Sequence, residues 1–166
     1  MTWADADEAI VALFQEHGRS LVRLARLFAD DRNAAEDLVQ EAFLRLRRSF
    51  HRIESPARTA AYLRSIVLNL ARDHNRRGLM SLRHRMPEEE GRLSAEDRIV
   101  MREDQQQVID ALQALPRRQR DSVTLRYYLD LSIPDIAMTL GISVNSVKTH
   151  LQRGMAVLER RLEATP

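Results

Sequence analysis

The segment from Leu131 to Leu162, LSIPDIAMTLGISVNSVKTHLQRGMAVLERRL, constrains the chain more than any other. It spells a short helix, a glycine turn and a longer helix. Ser132 is placed to cap the first helix, and Asp135, three residues on, completes a capping-box pattern. Ile136, Ala137 and Leu140 give that helix one apolar face, and Gly141 suits the left-handed residue that closes it. Ser143 is placed to cap the second helix, where Val144, Val147, Leu151, Met155 and Leu158 recur at helical spacing. The other face carries Asn145, Ser146, Lys148, Thr149, Gln152 and Arg153. These side chains supply the donors and acceptors that a helix in the major groove needs for base edges and phosphates. An αα-hairpin with a solvated face is the plainer reading of the same pattern.

Helical periodicity runs through most of the remaining chain. Ile10, Leu13, Phe14, Leu21, Leu24, Ala25 and Phe28 mark a first helical region, with an interruption expected near Gly18. Leu38, Val39, Ala42, Phe43 and Leu46 mark a second. Ser55-Pro56 opens a third, a capping hydroxyl followed by proline at the first helical position, with Ala60, Leu63, Ile66, Val67, Leu70 and Ala71 turned inward. The stretch from Gly78 to Arg92, with Pro87, Gly91 and three successive glutamates, breaks the pattern and reads as a linker. Ser94 and Asp97 restart a helix through Val108, Ile109, Leu112 and Leu115, and Pro116 opens another through Val123, Leu125 and Tyr127. Tyr127 and Tyr128 are expected to pack within the domain. The expected fold is all-α: two small helical domains, residues 1–77 and 95–166, joined by a linker at 78–94, with the helix-turn-helix in the second.

Net charge is only +2 over 166 residues, so its distribution carries the information. Residues 51–77 have a net of +4 and residues 141–166 a net of +2, whereas residues 1–50 have a net of −2. Two basic segments suggest two contacts with a polyanion, and the acidic segment suggests a surface for a different partner. Alternating charge on solvated helices accounts for residues 1–50 equally well. Lys148 is the sole lysine, and it falls on the presumed recognition helix. With no cysteine there is no disulfide and no thiolate metal site. The five histidines are scattered without metal-ligand spacing, and no glycine-rich phosphate loop is present. No catalytic group, metal or cofactor is therefore expected. The acidic start lacks a signal-peptide pattern and no apolar run approaches a membrane span, so a cytoplasmic protein without direct membrane insertion is expected.

Two stretches together resemble a known family. AEDLVQEAFLRL, from Ala35 to Leu46, resembles region 2 of bacterial sigma factors. The stretch from Ala111 to Arg161, which contains LPRRQRDSVTLRYYLDLSIPDIAMTLGIS, resembles region 4. The pair, in this order and spacing, is similar to the compact extracytoplasmic-function (ECF) subfamily of the sigma-70 family. The resemblance implies a factor that binds core RNA polymerase, recognises the −35 and −10 promoter elements and promotes transcription initiation. It also implies an anti-sigma factor that covers both domains.

Laid onto matching positions, the resemblance assigns Asp37, Leu38, Gln40 and Glu41 to core polymerase. Tyr62, Arg64, Asn69, Arg72, Arg76 and Arg77 are assigned to the −10 element, Asn69 holding a flipped base and the arginines strand phosphates. The loop from His51 to Arg58 matches the segment that lines this pocket. Asn145, Ser146, Lys148, Thr149, His150, Gln152 and Arg153 are assigned to the −35 element. One departure stands out: Tyr62-Leu63-Arg64-Ser65 occupies a place where relatives commonly carry Trp-Leu-Tyr-Arg. Asn69 as a locally bonded helix residue is the alternative at that position. A LuxR-type or other helix-turn-helix regulator without initiation activity is the alternative for the whole chain.

Overall fold

The chain, seen in a computed structural model, consists of helices and short connections in its described residues, which are 3–29, 32–53, 55–77 and 95–164, with backbone alone at Trp3, 75–77 and 95–102. The expected linker, residues 78–94, and the capping position Ser94 lie outside them. Helices α1 (Trp3–Arg26), α2 (Arg32–Ser49) and α3 (Pro56–Arg77) form the first half. Helices α4 (Ala95–Gln113), α5 (Arg117–Val123), α6 (Ile133–Leu140) and α7 (Val144–Glu163) form the second.

In the first half each helix packs against the other two. Leu21, Leu24, Val39, Leu46, Leu63 and Val67 are fully enclosed where they meet. Each such side chain contributes roughly 1.5–3 kcal/mol by leaving water. Ser55 caps α3, its Oγ accepting from the Arg58 amide at 3.3 Å, and Pro56 takes the first helical position as expected. Helix α1 is continuous through Gly18, against the expected interruption. A mid-helix glycine costs about 1 kcal/mol relative to alanine, which the packing of the following turns outweighs. Phe14, one of the residues marking this helix, is mostly exposed. It lies edge-on to Phe43 with ring centroids 5.4 Å apart, at the margin of the three-helix core.

In the second half α7 packs against α4, α5 and α6. Pro116 sits just ahead of α5 in extended backbone, and its carbonyl accepts from the Arg120 amide at 2.9 Å. Helix α5 then widens into a π turn, Thr124–Tyr128, closed by the Leu129 amide on the Thr124 carbonyl at 3.3 Å. The wider turn changes the phase of the side chains. Leu125 stays fully buried, whereas Tyr127, expected in the core, is 64% exposed. Arg126 donates to the Leu131 carbonyl at 2.8 Å and ties the π turn to the approach of α6.

Asp121, Ser122, Val123, Thr124 and Leu125 are all buried. A helix with one covered face cannot bury five consecutive residues, so this segment is covered on two sides. Helix α7 lies on one side. On the other, Arg72 of α3 pairs with Asp121, and Leu27 and Phe28 share a gap with Arg120 and Thr124. Helix α3 also packs against α6. The buried apolar residues of both halves thus form one contiguous cluster.

Gly154 sets how close α7 comes to α5. A Cβ there would stand 2.9 Å from Val123 Cγ2 and 3.4 Å from Gln119 Cβ. Val123 is buried and β-branched, so it has little freedom to yield. Gly154→Ala gains about 1 kcal/mol of helix propensity but overpacks the contact, at a typical cost of about 1–3 kcal/mol. A net loss of up to about 2 kcal/mol in chemical denaturation is expected. Combined with Val123→Ala, the two costs should be less than additive, because the second change removes the obstructing methyl. Strict additivity would show that close approach is not why glycine occupies this position.

Candidate nucleic-acid interface

The helix-turn-helix is fixed by three local devices. Ser132 Oγ accepts from the Asp135 amide at 3.2 Å and starts α6. Gly141 ends it in the left-handed region at φ 66°, and the Ile142 amide reaches back to the Ala137 carbonyl at 3.1 Å. Ile142 packs on the core beyond the turn, the apolar contact that usually accompanies this termination. Ser143 Oγ accepts from the Ser146 amide at 3.0 Å and starts α7. Each cap is worth about 1 kcal/mol.

Val147, Leu151, Gly154 and Leu158 face inward along α7, while Val144, expected inside, is exposed on the first turn. Nothing but the turn precedes it there to provide cover. Asn145, Lys148, Thr149, Gln152 and Arg153 are all exposed, at the spacing of one helical face. Lys148 and Arg153 enter no ion pair among the described residues. Thr149 donates to the Asn145 carbonyl at 3.1 Å. Ser146 accepts from the Ser143 hydroxyl at 2.8 Å and is half-buried, so it belongs to the cap as much as to the face. His150 is half-buried, and its Nδ1 has no hydrogen-bond partner among the described residues.

Helix α3 presents a different situation. Tyr62 and Asn69 are exposed. Asn69 Oδ1 accepts from Arg72 Nη1 at 3.1 Å, a bond within one turn of the helix. Arg64 is only 8% exposed, and its Nε donates to Thr139 Oγ1 on α6 at 3.0 Å. Arg72 Nη2 pairs with Asp121 Oδ2 on α5 at 2.9 Å. Both guanidinium groups are thus bonded to side chains of the second half. The side chains of Arg76 and Arg77 lie outside the described residues.

Burial dominates the electrostatics here. It lowers the Arg64 pKa from its ordinary value, with the Asp135 carboxylate pulling the other way. It likewise lowers Arg72 against the opposing attraction of Asp121. Burial raises the Asp121 carboxyl above its usual range, although Arg72, Arg120, Arg117 and Arg118 oppose it. For each of these groups lost hydration outweighs the gain from its partner. A buried pair of this kind contributes more to geometry than to stability.

On α2, Asp37, Gln40 and Glu41 share one face. Glu41 accepts from Arg45 Nε at 3.1 Å, a surface pair worth about 0–1 kcal/mol. Leu38 is half-buried against the core. Leu44, not among the residues expected at this surface, is 50% exposed and joins the same face at positions i, i+3, i+4, i+7. Its helical spacing was legible. Its exposure was not, because apolar residues on α2 otherwise face the core.

Comparison with known proteins agrees with both halves. Residues 13–78 match the family model of Sigma-70 region 2, and residues 105–158 that of Sigma-70 region 4. The chain is 30% identical over 155 residues to the RNA polymerase sigma-E factor of Streptomyces avermitilis, covering 91% of this chain and 86% of that protein. It is 33% identical over 150 residues to the ECF RNA polymerase sigma factor SigM of Mycobacterium tuberculosis, covering 90% and 75%. Its fold is similar to that of CnrH, solved in complex with the cytosolic domain of CnrY. There the TM-score is 0.73 and the identity 26%, with 99% of this chain and 96% of that one covered. Two regions in this order, each on its own group of helices, favour this family over a LuxR-type regulator. The chain belongs to the ECF subfamily of the sigma-70 family and is an RNA polymerase sigma factor.

Proposed function

We propose that this chain, residues 1–77 and 95–166 acting as two domains, delivers core RNA polymerase to promoters through three separate surfaces. The α7 face of Asn145, Lys148, Thr149, Gln152 and Arg153, with Ser146 and His150 at its edge, reads the −35 element. The observation that carries this reading is the contrast on α7. One side is sealed into the core, and the other is a row of exposed polar side chains held by two capped helix starts. Lys148 and Arg153 suit phosphates or guanine acceptors, and Gln152 suits adenine.

Asp37, Gln40 and Glu41 of α2, with Leu38 beneath and Leu44 beside them, engage core polymerase. Acidic side chains orient a basic partner and speed encounter, while an exposed leucine supplies apolar area. Helix α3 engages the −10 element, with Tyr62 stacking, Asn69 holding an unstacked base, and Arg64, Arg72, Arg76 and Arg77 on strand phosphates. Capture of unstacked bases offsets the few kcal/mol that opening costs. The polymerase performs the chemistry; this chain is not an enzyme and acts in the cytoplasm. An anti-sigma factor is a further partner, as the resemblance to the family implies.

Run-off transcription with core polymerase and a genomic promoter library tests the whole reading. Discrete new start sites sharing two spaced elements are expected. Core binding without new transcripts would instead indicate a regulator that does not initiate.

Lys148→Ala with Arg153→Ala should weaken duplex binding at least tenfold at moderate salt. The salt-dependence slope should fall by roughly 0.9 for each phosphate no longer neutralised. Core polymerase binding should be spared, and equal loss of both activities would count against the α7 assignment. Asp37→Ala with Glu41→Ala should do the reverse. Leu44→Asp should abolish core binding while leaving the thermal midpoint within a few degrees, since an exposed site tolerates charge.

A further inference from the structure

Side-chain bonds sort the exposed face of α7 by what each residue still has to offer. Thr149 has one hydroxyl hydrogen, and it is given to the Asn145 carbonyl at 3.1 Å. Ser146 accepts from the Ser143 hydroxyl and keeps its own hydrogen. The side chains of Asn145, Lys148, Gln152 and Arg153 are exposed and enter no hydrogen bond or ion pair among the described residues. Thr149 therefore differs from its neighbours in having no donor to spare.

Phosphate oxygens, guanine N7 and O6, and thymine O4 are all acceptors. A hydroxyl already committed to a carbonyl has nothing to give them. Turning it outward would break one bond to make another, for little gain. The same bond holds the oxygen against the preceding turn of the helix, so the methyl is the branch left to meet a base edge. In the major groove thymine carries a matching apolar group, its C5 methyl, whereas cytosine presents an amino group there.

Position supports the same reading. Asn145, Thr149 and Gln152 fall at i, i+4 and i+7, and Arg153 follows Thr149 by one turn, so these side chains are neighbours on the surface. Thr149 is the shortest of them and stands between them. It can reach a base only where the helix backbone comes closest to the groove floor. Branching at Cβ restricts its χ1, and the bond to Asn145 fixes it further, so the methyl is placed before DNA arrives.

We propose that Thr149 reads a thymine of the −35 element through its methyl group, by apolar contact and without a hydrogen bond to the base. The inference rests on the assignment of α7 made above and adds to it the base and the chemistry of its recognition.

The test uses the full chain assembled with core polymerase. Thr149→Ser removes the methyl and keeps the hydroxyl, whereas Thr149→Val removes the hydroxyl and keeps the methyl. Thr149 is exposed, so both variants should fold. Duplexes randomised over the upstream promoter region are selected on the wild-type holoenzyme and sequenced. Each thymine of the selected element is then replaced singly by deoxyuridine, which lacks only the methyl.

At one thymine, deoxyuridine should weaken wild-type binding about fourfold, the worth of one buried methyl-sized group. Thr149→Val should keep that ratio, and Thr149→Ser should bind the two duplexes alike. Penalties at other thymines should be the same in all three proteins. An element with no sensitive thymine overturns the proposal, as does a penalty that survives in Thr149→Ser at every position. A preference lost in Thr149→Val but kept in Thr149→Ser makes the hydroxyl the reader and overturns it too. The Lys148→Ala, Arg153→Ala double variant, run in parallel, separates the two levels of the argument. If it binds the selected element undiminished, the α7 assignment has failed and the proposal falls with it. If it binds weakly while the Thr149 variants match the wild type, the proposal alone has failed.

Discussion

A carboxylate moved out of water has to be met by a partner, and the arrangement of this chain turns on where Asp121 finds its own. It lies on α5, a helix of two turns covered on both sides. One cover is α7, brought close because Gly154 has no side chain to hold Val123 away. The other is α3, which supplies Arg72 at 2.9 Å. Without that arginine the buried carboxylate would lose its direct partner, at a cost of up to about 3–5 kcal/mol. The pair is therefore strict about geometry even though it adds little net stability. It fixes which face of α3 meets the second half, and with it the positions of Arg64 on Thr139 and Arg23 on Tyr128.

The two basic surfaces consequently stand in opposite states. On α7 the inward row of Val147, Leu151, Gly154 and Leu158 needs nothing from the first half, and the outward row is open to solvent. Its orientation relies on Ser132, Gly141 and Ser143, all local devices. On α3 the inward row packs on α1 and α2, yet two of the basic residues are also enclosed by the second half. One helix presents its polar row to solvent, whereas the other has its charges satisfied internally.

The features legible in the sequence were those with local causes. Both serine caps, the left-handed glycine, the Ser55-Pro56 start and the apolar rows of α2 and α3 follow from neighbouring residues, and the structure contains each of them. The departures had causes distant in sequence. Nothing within α1 indicates that packing would carry the helix through Gly18. The π turn that sends Tyr127 outward depends on Thr124 and Leu129 sharing a bond one residue longer than the α-helical repeat. Arg64 and Arg72 read as free cations because their partners lie 75 and 49 residues away, beyond the reach of any periodicity. The burial of all five residues from Asp121 to Leu125 was not legible either, because a carboxylate and two hydroxyls in a helical run read as its solvated side.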